Sequence, residues 1–146
     1  VDVMARLGVL AGYDPAHLAV FETRLIFSNR EKKDFESILM AQNELSDLSE
    51  KSTKLLKYKY GQDISTQAVL MHAAHPGQDI PAAVWDILTS WNVPFLPLTG
   101  DDVKARGIAA GPQIGAALAF VETWWTAQDF TPDRDACLKK LSEFKG

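Results

Sequence analysis

The 146-residue sequence contains one cysteine, Cys137. A single thiol cannot form an intramolecular disulfide, and it removes most zinc sites, which need several cysteine or histidine ligands. His72 and His75 lie three residues apart, but no cysteine or carboxylate cluster near them in the sequence could complete a metal site. We therefore predict no metal site in this chain, and we expect a reducing compartment, the cytoplasm.

The sequence also lacks the signals of strands and of membrane-spanning segments. Val and Ile rarely alternate with polar residues, and Asn-Gly or Asp-Gly hairpin turns are absent. Although 47% of the residues are hydrophobic, no run is long enough to cross a bilayer. These absences predict an all-α protein, a bundle of about eight or nine helices with no sheet and no membrane partner.

No catalytic motif has a recognisable setting in this chain. There is no phosphate-binding loop, no GxSxG elbow and no Ser/His/Asp series. Asp133 and Asp135 have an Asp-x-Asp spacing, but they follow Thr131-Pro132 at a predicted helix start, where carboxylates favour the helix dipole. Asp101 and Asp102 stand in the same position of another helix. We interpret all four as structural and predict no catalytic residue.

Basic residues are fewer than acidic ones, with 15 Lys and Arg against 19 Asp and Glu and a net charge of −4. Affinity for phosphates depends largely on a basic surface, so this balance disfavours a protein that binds nucleic acid unaided. It leaves two interpretations open. The chain is either a structural or protein-binding domain, or a domain that touches a polynucleotide at a few points where basic residues cluster.

Breaks in the helical pattern predict two regions. Residues 1–92 form a helical body, in which 1–27 are a truncated start with an interruption at Gly12-Tyr13-Asp14-Pro15. Ser28 and Glu31 then form a capping box that opens a body helix. Val93-Pro94 ends the body, and residues 93–146 form a helical tail.

The most basic window in the chain is KSTKLLKYKYG, residues 51–61. Lysine on phosphate beside tyrosine on a ribose or base is a combination that suits RNA, so Lys54, Lys57 and Tyr58 are candidate RNA contacts. Lysines that lie over the edge of a tyrosine-lined core would give the same pattern. The sequence does not choose between these two interpretations.

A second candidate surface lies in the tail, between residues 95 and 125. Thr99 and Asp102 predict a capped short helix that ends near Arg106, and Gly111-Pro112 predicts the start of a longer one. Backbone N–H groups at such a start favour an anion, of which phosphate is the commonest in biology, although the glycines could serve the turn alone. We predict this helix-hairpin-helix-like unit as an RNA contact through Lys104, Arg106, Gly107, Gly111 and Gln113.

The longer helix has an apolar face. Ile114, Leu118, Val121 and Trp125 follow one another at helical spacing, so they should be buried together. Trp124 and Trp125 point about 100° apart, so only one of them can face fully inward.

These segments also resemble a known family. PLTGDD (97–102), Gly107-Ile108, GPQIG (111–115), Trp124-Trp125 and PDRDACL (132–138) follow one another as in the C-terminal region of CCA-adding tRNA nucleotidyltransferases and the related bacterial poly(A) polymerases. SNREKK (28–33) resembles the opening of a body helix in that family. The resemblance spans most of residues 28–141.

The resemblance implies that this chain is the body and tail of such an enzyme, which holds tRNA or another structured RNA. It also implies that the catalytic head, with its Mg²⁺ and its CTP or ATP, lies upstream of Val1 as the chain's partner, so that this fragment alone is no enzyme. Two alternatives remain: a helix-turn-helix DNA binder and a helical scaffold or dimerisation module. Ala116, Ala117 and Ala119 offer few side chains to read bases, which disfavours the first.

Overall fold

A computed structural model describes residues 6, 7, 9, 20, 27–74, 77–108 and 111–144. These residues contain six helices and no strand, which confirms the predicted all-α class. The predicted count of eight or nine helices is not confirmed. The helices are α1 (Asn29–Glu44), α2 (Glu50–Ala74), α3 (Ala82–Ser90), α4 (Gly100–Ala105), α5 (Pro112–Ala127) and α6 (Arg134–Leu141).

The chain divides into two compact units, Val1–Val93 and Pro94–Gly146. The first contains α1, α2 and α3, and the second contains α4, α5 and α6. The predicted interruption at Gly12-Tyr13-Asp14-Pro15 lies outside the described residues. The assignment of 1–92 and 93–146 as body and tail domains stays a prediction.

Helix α1 begins with the predicted capping box. The Ser28 N–H donates to Oε2 of Glu31 over 2.8 Å, and the Glu31 N–H donates to Oγ of Ser28 over 3.3 Å. Phe35, Ile38 and Leu39 are buried on the face that their spacing predicted. The cap therefore sets where α1 starts, and the apolar spacing sets which face it buries.

Helix α2 is interrupted at Gly61, where φ is 77° and ψ is 174°. This backbone conformation is populated almost only by glycine. The helical path stops after Tyr60 and resumes within the next residues. The two segments of α2 meet at this kink, and both pack in the same core.

The core of the first unit is formed by apolar side chains from all three of its helices. Its main cluster takes residues from the end of α1, from both segments of α2 and from α3, and a second cluster joins α1 to the far segment of α2. The main cluster consists of Ala41, Leu45, Leu48, Leu56, Ala68, Val69, Ala73, Val84 and Leu88, and the second of Phe35, Ile38, Leu39 and Met71.

Lys57 is buried in this unit, with 5% of its surface exposed. Its ammonium donates hydrogen bonds of 2.8 Å to each of three backbone carbonyls, those of Ile87, Leu88 and Trp91. These carbonyls belong to the C-terminal end of α3, where the last four carbonyls have no partner within the helix and the dipole is negative. Burial lowers the pKa of Lys57. This lysine thus caps α3 and ties it to α2.

The second unit has a small core around Trp125. The indole is 2% exposed, its Nε1 donates to the Pro132 carbonyl over 3.0 Å, and its ring meets Phe130 edge-on at 5.1 Å. Trp124 is only half-buried, which agrees with the prediction that one of the pair faces fully inward. The rest of this core consists of Leu98, Val103, Ala117, Val121, Cys137 and Leu141.

The buried face of α5 differs from the predicted one. Ala117 is fully buried, whereas Ile114 and Leu118 are half-buried. Ala117, Val121 and Trp125 lie four residues apart and form one row along the helix. Alanine in that row allows the packed elements to approach closely, so a small side chain takes the place predicted for Leu118.

Asp102 and Arg134 join α4 to the start of α6. The guanidinium donates two bonds to the carboxylate, through Nη1 over 3.0 Å and through Nη2, and Nη1 also donates to the Pro97 carbonyl. The hydroxyl and N–H of Thr99 donate to the same carboxylate, as the predicted cap requires. The bonds from Arg134, and then those from Thr99, hold the pKa of Asp102 well below its usual range.

Replacing Lys57 with methionine tests the cap on α3. We expect Lys57→Met to lower the free energy of unfolding by about 2–3 kcal/mol, because it leaves three carbonyls without their charged donor. Lys59→Met is the matched control. Lys59 pairs with Glu44 at the surface, and such pairs contribute about 0–1 kcal/mol. Urea unfolding measures both, and equal stabilities of the two variants would show that the ammonium does not stabilise α3.

The Asp102–Arg134 pair predicts a dependence on pH. The pKa of Asp102 is lowered by folding, so the pair's contribution is complete above the unfolded pKa of about 4 and is lost as the pH falls towards the folded value. At pH 7 we expect the backbone amides of α4 and α6 to be better protected from hydrogen exchange in the wild type than in Asp102→Asn. This difference in protection should shrink below about pH 4. When Arg134 is replaced by Gln, the difference in protection caused by Asp102→Asn should be smaller. A difference that grows on acidification would contradict a stabilising Asp102–Arg134 pair.

Candidate functional site

Two glycines at the predicted turn between α4 and α5 have backbone conformations that favour glycine. Helix α4 ends at Ala105, and Gly107 follows with φ of 83°, a left-handed conformation. Gly111 has φ of 128° and precedes Pro112 at the first position of α5. Ala109 and Ala110 lie outside the described residues. Both glycines are exposed, and a Cβ built on either would meet no atom within 4 Å.

The start of α5 presents fewer amide donors than the sequence suggested. Pro112 has no N–H, and the Ile114 N–H donates to the Gly111 carbonyl over 3.1 Å. The Gln113 N–H has no hydrogen bond to the part of the chain that the structure describes, and Gln113 is exposed. An anion at this end of α5 would therefore meet the Gln113 amide, with the dipole behind it.

The two predicted cations of the turn differ in their partners. Lys104 donates to Asp101 over 2.9 Å, and both side chains are mainly exposed, so the pair is weak and screened by salt. Arg106 is exposed and forms no ion pair with any described residue. One guanidinium and one loosely held ammonium thus lie within two residues of each other, next to the turn.

The basic window in α2 has a mixed structural role. Lys54 and Tyr58, four residues apart, share a face, and both are half-buried and make other interactions within the protein. Lys57 is buried, whereas an RNA contact requires an exposed ammonium. Its three donors are occupied by carbonyls of α3, so none remains for a phosphate. Lys57 is therefore not a candidate RNA contact, whereas Lys54 and Tyr58 stay predictions.

The position of Lys57 could have been found from its spacing. Thr53, Leu56, Lys57 and Tyr60 are separated by three and four residues, which places them on the side of α2 that packs against the core. A lysine on that row is buried unless its side chain reaches solvent. Lysines at nearby positions in the sequence place Lys57 in the basic window.

The residues with an Asp-x-Asp spacing do not form a magnesium site. The Asp133 carboxylate accepts the Ala136 N–H over 2.9 Å and is the N-cap of α6, so the cap falls one residue after the predicted Thr131-Pro132. Within the described ranges, no three His, Cys, Asp or Glu side chains are grouped as a metal site would require. Mg²⁺ therefore has no fitting ligand set in these residues. His75 lies outside them.

Among the helices that the structure describes, none has the length and apolar character needed to cross a membrane.

Comparison with known proteins gives one local similarity. The chain is similar to the mitochondrial CCA tRNA nucleotidyltransferase 1 of Mus musculus, with 29% identity over 56 residues. The matched segment covers 38% of this chain and 13% of the mouse protein. No protein-family model and no solved structure matches the chain. The similarity links the chain to tRNA nucleotidyltransferases, and its short span does not show membership of that family.

Proposed function

We propose that this chain holds tRNA, or another structured RNA, for a tRNA nucleotidyltransferase of the CCA-adding or poly(A) polymerase type. The observation that carries the proposal is the local similarity to the mouse enzyme. In this proposal the nucleotide-adding chemistry belongs to a catalytic head outside this chain. Mg²⁺ and CTP or ATP are assigned to that head.

The RNA backbone meets the α4–α5 turn in this proposal, and α4, the turn and α5 act as a helix-hairpin-helix-like unit. Arg106 and Lys104 bind phosphate oxygens, and the Gln113 N–H donates to the same or the next phosphate. Gly107 and Gly111 have no side chain to hold the sugar-phosphate backbone away, and the space around them is open. Lys54 and Tyr58 form a second contact in the other unit.

Such a domain contributes position rather than chemistry. An RNA held by its backbone at fixed points presents its 3′ end to the catalytic head without a separate search, which lowers the entropic part of the barrier. Recognition by backbone and shape also suits structured RNA, whose deep major groove hides its base edges. With a net charge of −4, the domain relies on local cations.

A protein-interaction role is the second candidate, and one observation favours it. Phe95 is 92% exposed in the segment that precedes α4. An aromatic side chain held in water is typical of contact surfaces, although single exposed apolar residues are common. A helix-turn-helix DNA reader remains disfavoured, because Gly115, Ala116 and Ala119 are exposed on α5 and offer no polar side chain to a base edge.

Charge reversal at the turn tests the proposed RNA contact. We expect Lys104→Glu with Arg106→Glu to weaken tRNA binding by tenfold or more, and to reduce the slope of log affinity against log salt by about 2, because two phosphate contacts are lost. Fluorescence anisotropy with labelled tRNA at several salt concentrations measures both quantities.

The matched control is Lys33→Glu with Lys139→Glu. Both lysines are exposed, and the double reversal changes the net charge by the same amount away from the turn. Equal losses of affinity in the two variants would show that the effect comes from overall charge. No loss in either variant, with circular dichroism confirming that both remain helical, would remove the turn as an RNA contact.

A further inference from the structure

A cavity of about 570 Å³ lies between α1 and the kink in α2. Its walls come from α1, with Arg30, Asp34 and Ile38, and from residues 60–64, 66 and 67 around Gly61. The cavity-lining residues of α2 lie at the kink, where the helix changes direction at Gly61. The volume falls within the range of small-molecule sites in proteins.

The polar groups in the cavity wall are mostly acceptors and amides. Asp34 and Asp63 contribute two carboxylates against the single guanidinium of Arg30, whose Nε lies 3.7 Å from Asp34. Gln62 adds a side-chain amide that can both donate and accept. The excess of negative charge disfavours a phosphate and favours a ligand that brings N–H donors.

Tyr60 is a half-buried aromatic residue that lines the cavity. The Tyr60 hydroxyl donates to Glu44 over 2.9 Å, and the other oxygen of Glu44 accepts from Lys59 over 2.8 Å. Tyr60 also packs against the main core cluster. The cavity thus combines an aromatic side chain that is held in place with hydrogen-bonding groups, the combination with which proteins bind unstacked bases.

We propose that this cavity receives one unstacked base of the bound RNA, with guanine preferred, a proposal that rests on the proposed function. The N1–H and exocyclic amine of guanine are adjacent donors that match the two oxygens of a carboxylate. Uracil offers a single N–H between two carbonyls.

The direct test titrates the protein with nucleotides and follows backbone amides by NMR. We expect GMP to shift the amides of residues 61–67 more strongly than UMP does at the same concentration, and ribose 5-phosphate to leave them unchanged. Asp63→Asn should raise the dissociation constant for GMP about tenfold, because a charge-assisted hydrogen bond is lost. Asp86→Asn, an exposed position on α3, is the matched control and should have no effect.

Three results would overturn the proposal. The first is an absence of shifts at residues 61–67. The second is equal shifts with ribose 5-phosphate or with spermidine, which would assign the cavity to a phosphate or a polyamine. The third is GMP binding accompanied by a tRNA affinity that Asp63→Asn leaves unchanged, which would make the cavity a site for free nucleotides.

The same measurements separate this proposal from the proposed function. If Asp63→Asn has no effect on tRNA while the double reversal at Lys104 and Arg106 weakens binding, the cavity assignment fails and the RNA-holding role stands. If tRNA does not bind wild type at all, the proposed function fails whatever GMP does. A decrease of tRNA affinity in both variants supports both proposals.

Discussion

The first unit depends on the ammonium of Lys57 at the C-terminal end of α3. Three carbonyls converge on it, each at 2.8 Å, so the negative end of the α3 dipole meets a buried positive charge. Apolar side chains alone would let α3 slide along α2. Three directed hydrogen bonds from one atom fix both the end of α3 and its position along α2. Because Lys57 serves this purpose, the basic window has fewer charges for a ligand than its sequence indicates.

In the second unit a directed charged contact plays a comparable part. Arg134 joins α6 to Asp102 at the start of α4, and Asp133 caps α6. Two of the three charged groups that the sequence places together as Asp-Arg-Asp, those of Asp133 and Arg134, thus have partners within the fold. The groups left at the surface of the turn, above all Arg106 and the Gln113 amide, are the ones that an RNA backbone could use. The proposed role in holding RNA rests on these few groups.

Local features were predicted well because each has a local physical cause. Ser28 and Glu31 satisfy each other's donors within one turn, so their spacing sufficed to locate the start of α1. Gly107 and Gly111 hold positive φ values that glycine adopts without strain, and the sequence placed both at the predicted turn. Val121 and Trp125, from the face predicted for α5, are buried. The face predicted for α5 contains Leu118, whereas the structure buries Ala117. Hydrophobic spacing favours the larger Leu118, but the small Ala117 permits close packing.

The amino-acid sequence by itself determined the helical class, the caps and the glycine breaks, because these depend on neighbours within about one helical turn. It also supplied the resemblance to CCA-adding enzymes, and a local similarity to one such enzyme supports that resemblance. Only the tertiary structure decided what each charged side chain does. Lys57, Asp102 and Arg134 find partners thirty or more residues away, and the cavity beside Gly61 needs α1 to lie against the kink. The partners and the burial of a charged side chain depend on segments that are distant in the sequence, so the local sequence does not reveal them.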